Sequence, residues 1–144
     1  MRKRKIYVAS SWRNLYQQRT VKQLREAGHE VYDFKNPIEG GNVFHWREIS
    51  AVWSCWNAEG FRNALDHPIA VAGFKSDFEA MEWADICVLL LPCGKSAHLE
   101  AGHFCGADKD LIILLDSEEV EPELMYKMAD YVCINIDEVK ALLA

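Results

Sequence analysis

Residues 86–91, ICVLLL, are apolar without a break. Such a run suits a central parallel strand covered on both faces, whereas a strand with one wet face would alternate. Pro92 and Gly94 end the run, and Ser96 reads as the N-cap of a following helix. In that helix Ala97, Ala101, Phe104 and Cys105 form an inward stripe at helical spacing, with Glu100 at its border in the first turn. A similar unit opens the chain. Lys5–Ala9 reads as a strand, and residues 13–27 as an amphipathic helix with Tyr16, Val21, Leu24 and Ala27 inward, closed by Gly28. Residues 29–34, rich in Val and aromatics, predict a second strand.

From residue 35 to 75 the pattern degrades: Pro37, Gly40, Gly41 and Pro68 punctuate it, with short helical pieces expected around 46–53 and 58–65. So long an irregular insertion is usually a lid or a binding loop. Residues 76–84 then read as a helix opened by the capping box Ser76-Asp77-Phe78-Glu79. Further elements are a strand at 111–115, a helix at 121–129, a strand at 131–136 and a helix at 137–143. Five short strands alternating with helices predict an α/β chain, a single domain over 1–144. Its sheet is five-stranded, parallel and doubly wound, in the flavodoxin-like (Rossmann-like) order 2-1-3-4-5. The ligand crevice of that topology lies between strands 1 and 3. Ser10-Ser11-Trp12-Arg13 there faces residues 92–96, with Glu100 behind them.

Composition narrows the partners. The 144 residues are 50% hydrophobic and 26% charged, as in an ordinary globular domain. A formal charge of −6 opposes a duplex nucleic-acid partner, which needs a basic face. A small anion held by a few amides and one cation stays open. Five cysteines, odd in number and without a C-x-x-C pair, point to reduced thiols and the cytoplasm. The apolar stretch after the basic start MRKRK is too short for a signal-peptide core, and nothing approaches transmembrane length, so no membrane partner is expected.

Several chemistries lack their residues. Ala9, Ser10 and Pro92 stand where a phosphorylated receiver domain needs acids, and Ser10-Ser11 is only a fragment of a flavin phosphate loop. Neither GxGxxG nor the Walker lysine motif occurs, so no cofactor is expected. His98, His103 and Cys105 are spaced off any shared helix face, so no metal site is expected. Cys93 has no evident histidine partner and reads as a turn thiol rather than a nucleophile. What is left is Glu100 in a partly apolar crevice beside hydroxyls and aromatics, with Asp77 as a second acid. One carboxylate to attack an anomeric carbon and one acid to protonate the leaving group make a retaining glycosyl-transfer set. Each acid also has a plain reading as a charge near a helix N-terminus.

The chain resembles the nucleoside 2-deoxyribosyltransferase-like enzymes, a group that includes deoxynucleoside- and nucleoside-monophosphate N-glycosidases. The matching pieces are Ile6-Tyr7 with Trp12 beyond, Ser76-Asp77, Ala84-Asp85, and Leu99-Glu100-Ala101-Gly102 in the family's x-Glu-x-Gly pattern. They run from residue 5 to about 136. The resemblance implies that Glu100 is the nucleophile, forming a glycosyl-enzyme intermediate at C1′ of a (deoxy)ribose. It implies further that Tyr7 orients that carboxylate, that Asp77 protonates the departing base, and that Trp12 packs on base or sugar. Asp85 would be structural. A neighbouring subunit's late segment, here around Leu124-Met125 through Asp130-Tyr131, would complete the site, so a homo-oligomer is expected.

One position departs from the family. Six residues before the nucleophile the transferases carry an acid and the monophosphate glycosidases a serine, where this chain has Gly94. Lys95 and Ser96 could replace that group at a 5′-phosphate, with help from the helix amides. Phe44, Trp46, Trp53 and Trp56 in the insertion suit base stacking, but read better as packing. Two other functions fit the same crevice: a non-catalytic nucleotide sensor, favoured by Gly94, and an NAD glycohydrolase.

Overall fold

The computed structural model describes residues 2–37, 43–117 and 120–144. Gly40 and Gly41 lie outside the described residues. The chain forms two compact units, one of Met1–Asp33 with Met81–Ala144 and one of Phe34–Ala80.

The first unit holds the sheet: β1 (Lys5–Ala9), β2 (Glu30–Tyr32), β3 (Ile86–Leu90), β4 (Asp110–Leu114) and β5 (Tyr131–Cys133). All pairings are parallel and the order is β2-β1-β3-β4-β5, as the strand-helix alternation predicts. The central strand β3 is buried along its whole length. Its alternate side chains serve two layers. Ile86, Val88 and Leu90 join Ile6, Val8, Ile112 and Leu114 in a core that takes in Val21 and Leu24 of α1 (Gln17–Glu26) and Val139 and Leu143 of α5 (Ile136–Leu143). The other face carries Tyr7, the in-register neighbour of Cys87, and meets α4 (Lys95–Gly106) through Phe104.

Helix boundaries moved where side chains compete with the helix ladder. Helix α1 begins at Gln17, not at residue 13, because Asn14 Oδ1 accepts from the amide of Tyr16 at 2.8 Å and holds a turn there. Tyr16, expected inward, is 40% exposed, and Gln17 and Thr20 are buried instead. Gly94 is the N-cap of α4, so Ser96 is the second helical residue and Glu100 lies in the second turn. Helix-dipole effects fall off beyond the first turn, which weakens the plain reading of Glu100. No helix forms over 121–129. Pro122 disfavours it, and only a 3-10 turn at Leu124–Met128 remains.

The second unit contains α2 (Ala58–Ala64) and most of α3 (Pro68–Trp83). Helix α3 starts at Pro68 rather than Ser76. Proline suits a first helical position, and His67 Nδ1 accepts the Ile69 amide at 3.1 Å. Ser76 and Asp77 are therefore mid-helix, and the expected capping box is not one. Trp46 packs edge-on against Phe44, Trp56 and Phe61, with ring centroids 4.7, 5.9 and 5.6 Å away. A Cβ on Gly73 would come within 2.9 Å of Phe44, so glycine there admits the ring.

Candidate active site

Alternation in β1 turns Tyr7 toward α4, and the second turn of α4 points Glu100 back at it. The Tyr7 hydroxyl donates to Glu100 Oε2. Tyr7 is 1% exposed, stacked on Tyr32 at 5.3 Å and tilted against Phe104 at 5.7 Å. The phenol is thus held by rings on two sides while its hydroxyl meets a half-buried carboxylate. A hydrogen bond to an ionised acceptor is worth about 1.5–3 kcal/mol, and it fixes which oxygen of Glu100 is engaged.

The charge of Glu100 is felt by neighbouring thiols. Cys93 is pushed up to about 12, first by burial and then by Glu100. Fully buried Cys87 is driven far above the ordinary thiol range by the same two causes in the same order. Sequence reading found no histidine for Cys93, yet His98 Nδ1 lies 3.7 Å from its sulfur. The helix turn brings them together across five positions. With its pKa raised, Cys93 stays a thiol, so the histidine does not make it a nucleophile.

The loop after β1 is tied to the end of β3. Ser10 Oγ donates to the Leu90 carbonyl at 2.9 Å, and Asn14 Nδ2 donates to that of Pro92 at 3.1 Å. Ser11 Oγ accepts from the Arg13 amide at 3.2 Å, and Trp12 is 46% exposed. Gly94, Lys95 and Ser96 are exposed at the start of α4, where no side chain caps the helix. A Cβ on Gly94 would meet nothing within 4 Å. Asn14 was not singled out from sequence, because an Asn in a loop carries no signal until its partner strand is known. His98 Nδ1 also contacts the Gly94 carbonyl at 2.7 Å, and its Nε2 the Tyr126 hydroxyl at 2.9 Å.

Other expected residues lie on other elements. Asp77 lies half-buried within α3, in the second unit. Asp85 pairs with Arg4 at 3.3 Å, and the same guanidinium reaches Asp110 at 3.0 Å. These contacts sit at the amino ends of the strands, away from the crevice. His98, His103 and Cys105 point to three different partners, since His103 faces Glu82 at 3.5 Å and Cys105 Sγ donates to the Met128 carbonyl at 3.7 Å. On the flank of α4 facing β4 a cavity of about 900 Å³ is lined by Leu89, Cys93, His98, Ala101, Tyr126 and Met128, among others. Glu100 is not among its lining residues.

Fold and site together define a doubly wound α/β chain with a phenol-held carboxylate at the switch point of its sheet. Among solved structures it is similar to a 2-deoxyribosyltransferase from the psychrotolerant bacterium Bacillus psychrosaccharolyticus. The TM-score is 0.60 at 19% identity, over 94% of this chain and 89% of that one. It is also similar to the CMP N-glycosidase of Clostridium botulinum, with a TM-score of 0.50 at 16% identity, over 96% of this chain and 95% of that one. At these identities the likeness is one of fold. No protein-family model matches the sequence. No curated protein matches it. Among the described residues no helix is long and apolar enough to cross a membrane.

Proposed function

We propose that this protein cleaves or transfers the N-glycosidic bond of a (deoxy)nucleoside or its 5′-monophosphate, with Glu100 as nucleophile. The observation that carries the reading is the Tyr7–Glu100 hydrogen bond at the β1/β3 crevice. It is supported by the two solved structures of similar fold, whose names state nucleoside and nucleotide chemistry. A carboxylate oxygen of Glu100 attacks C1′, and the bond from C1′ to the base nitrogen breaks with its electron pair leaving on the base. Asp77, proposed from the family resemblance, gives the base its proton. The glycosyl ester on Glu100 is then taken by water, which is hydrolysis, or by a second base, which is transfer; the attacking group passes its proton to the Asp77 carboxylate, and either route releases the Glu100 carboxylate.

Trp12, exposed beside the crevice, is the candidate face for base or sugar, and Ser10 and Ser11 shape the loop that presents it. Lys95, Ser96 and the uncapped amides of α4 are candidate 5′-phosphate ligands. Leu124, Met125, Met128 and Tyr131 are more than half exposed, which supports a neighbouring copy covering this segment in a homo-oligomer. The five free thiols support a reducing compartment.

The test is base release from the purified protein, using deoxynucleosides, ribonucleosides, their monophosphates and NAD, with and without an acceptor base. Release or exchange from one of the nucleosides or monophosphates is expected, and Glu100→Ala should reduce it by about 10³-fold or more. Activity unchanged in Glu100→Ala, or no turnover at all, overturns the reading. Nicotinamide release alone would mark an NAD glycohydrolase. The open position at Gly94 favours a second reading, a nucleotide sensor without turnover. Calorimetry showing tight binding of an intact nucleotide, retained in Glu100→Gln, would establish it.

A further inference from the structure

We propose that His98 and Tyr126 are positioning residues for the α4 end of the crevice, holding the Gly94 carbonyl so that the amides of Lys95, Ser96 and Ala97 keep one direction. This rests on the function proposed above.

Gly94 has no side chain to anchor it, and the space where one would sit is empty of neighbours within 4 Å. Two side chains grip the turn around it. From the β1 loop, Asn14 Nδ2 donates to the Pro92 carbonyl at 3.1 Å. From α4, His98 Nδ1 reaches the Gly94 carbonyl at 2.7 Å, far shorter than the 3.4 Å of the His98 backbone amide to the same oxygen. A carbonyl only accepts, so Nδ1 must carry the hydrogen. In the neutral ring Nε2 is then bare and accepts from the Tyr126 hydroxyl at 2.9 Å. The two rings lie nearly parallel, 14° apart with centroids at 5.8 Å.

Tyr126 comes from the 3-10 turn Leu124–Met128, so the pair ties that turn to the start of α4. Burial, followed by the charges of Cys93, Glu123 and Glu121, raises the phenol above its usual range, which keeps it a donor. Fixing one ring nitrogen through the partner of the other is how histidines are commonly held in a single tautomer. Here the beneficiary is a glycine whose own backbone would otherwise be free to turn.

The experiment uses the full chain and the substrate giving fastest base release. Tyr126→Phe keeps the ring and removes the donor, and His98→Ala removes the link. Both are expected to raise KM about tenfold with kcat within about twofold, the pattern of lost uniform binding. His98→Asn places an amide nitrogen where Nδ1 stood and should bring KM back to within about threefold. A merely structural pair would lower the melting temperature and leave KM of the folded fraction unchanged. Wild-type KM in both Tyr126→Phe and His98→Ala overturns the inference while leaving the proposed activity standing.

If the wild type releases no base, the proposed activity fails, and nitrogen-15 spectra decide the pair on their own. The expected result is His98 as the Nδ1–H tautomer, with the Ser96 amide resonance moving in Tyr126→Phe. An Nε2–H tautomer or an unmoved Ser96 amide overturns it.

Discussion

The Tyr7 hydroxyl donates to Glu100 across 93 positions of sequence, joining the central pair of strands to the helix behind the crevice. Replacing Tyr7 with Phe removes that donor and leaves the ring stack with Tyr32. A lost bond to a charged acceptor predicts a fall in kcat of about 10–100-fold. The melting temperature should change by no more than a few degrees. Steady-state base release and thermal unfolding of Tyr7→Phe check both halves, and unchanged kcat would show that the bond has no part in turnover.

Cys93 is raised to about 12, with burial the larger cause and Glu100 the second. A raised thiol pKa means that the thiolate grows only as pH climbs, so at pH 9 about one molecule in a thousand carries it. Alkylation of Cys93, followed by peptide mass mapping against exposed Cys55, should be slow and rise about tenfold per pH unit up to about 12. Glu100→Gln removes the negative charge and should speed labelling at any pH below that value. An equal rate in the variant would separate the thiol from the carboxylate.

Gly94 has ordinary φ, −97°, and open space at its Cβ, so Gly94→Ser fits without strain. A serine at an N-cap gains a few tenths of a kcal/mol over glycine, which predicts equal or slightly higher thermal stability. The hydroxyl also stands beside Lys95 and Ser96, where a 5′-phosphate is proposed. The ratio of kcat/KM for monophosphates over nucleosides should shift in Gly94→Ser and fall in Lys95→Ala. A ratio unmoved by either places the phosphate elsewhere.

Lys109 Nζ donates to the carbonyls of Met81, Glu82 and Ala84 at 2.8, 2.9 and 2.7 Å, closing the end of α3. Lys109→Met keeps an apolar stem but removes the ammonium, which lies 5.6 Å from the Phe104 ring centroid, and strands those acceptors. A cost of about 1–2 kcal/mol follows, seen as a drop of roughly 3–8 °C in melting temperature with the KM of folded enzyme intact. An unchanged melting temperature would mean that water replaces the ammonium at no cost.

The strand runs were legible because a buried parallel strand must be apolar along its length, and residues 86–91 and 111–115 are. Their order in the sheet followed from the alternation with helices, and the observed order agrees. Glu100 was legible as a residue next to a strand end. Helix starts were not: Ser96 and Ser76 have the chemistry of N-caps, yet Gly94 and the residues around Pro68 take those places. Capping is decided by where the chain enters the helix, and Ser and Thr occur in helix interiors too.

Sequence alone determined the class of fold, the switch-point crevice and the candidacy of Glu100, since each depends on periodicity and on residues close in the chain. Tertiary structure decided what those residues touch. It turned Tyr7 onto Glu100, tied Asn14 to Pro92, and joined His98 to Tyr126. Such contacts join residues that the sheet brings together from distant positions, and no local pattern of hydrophobic and polar residues encodes a partner so far along the chain.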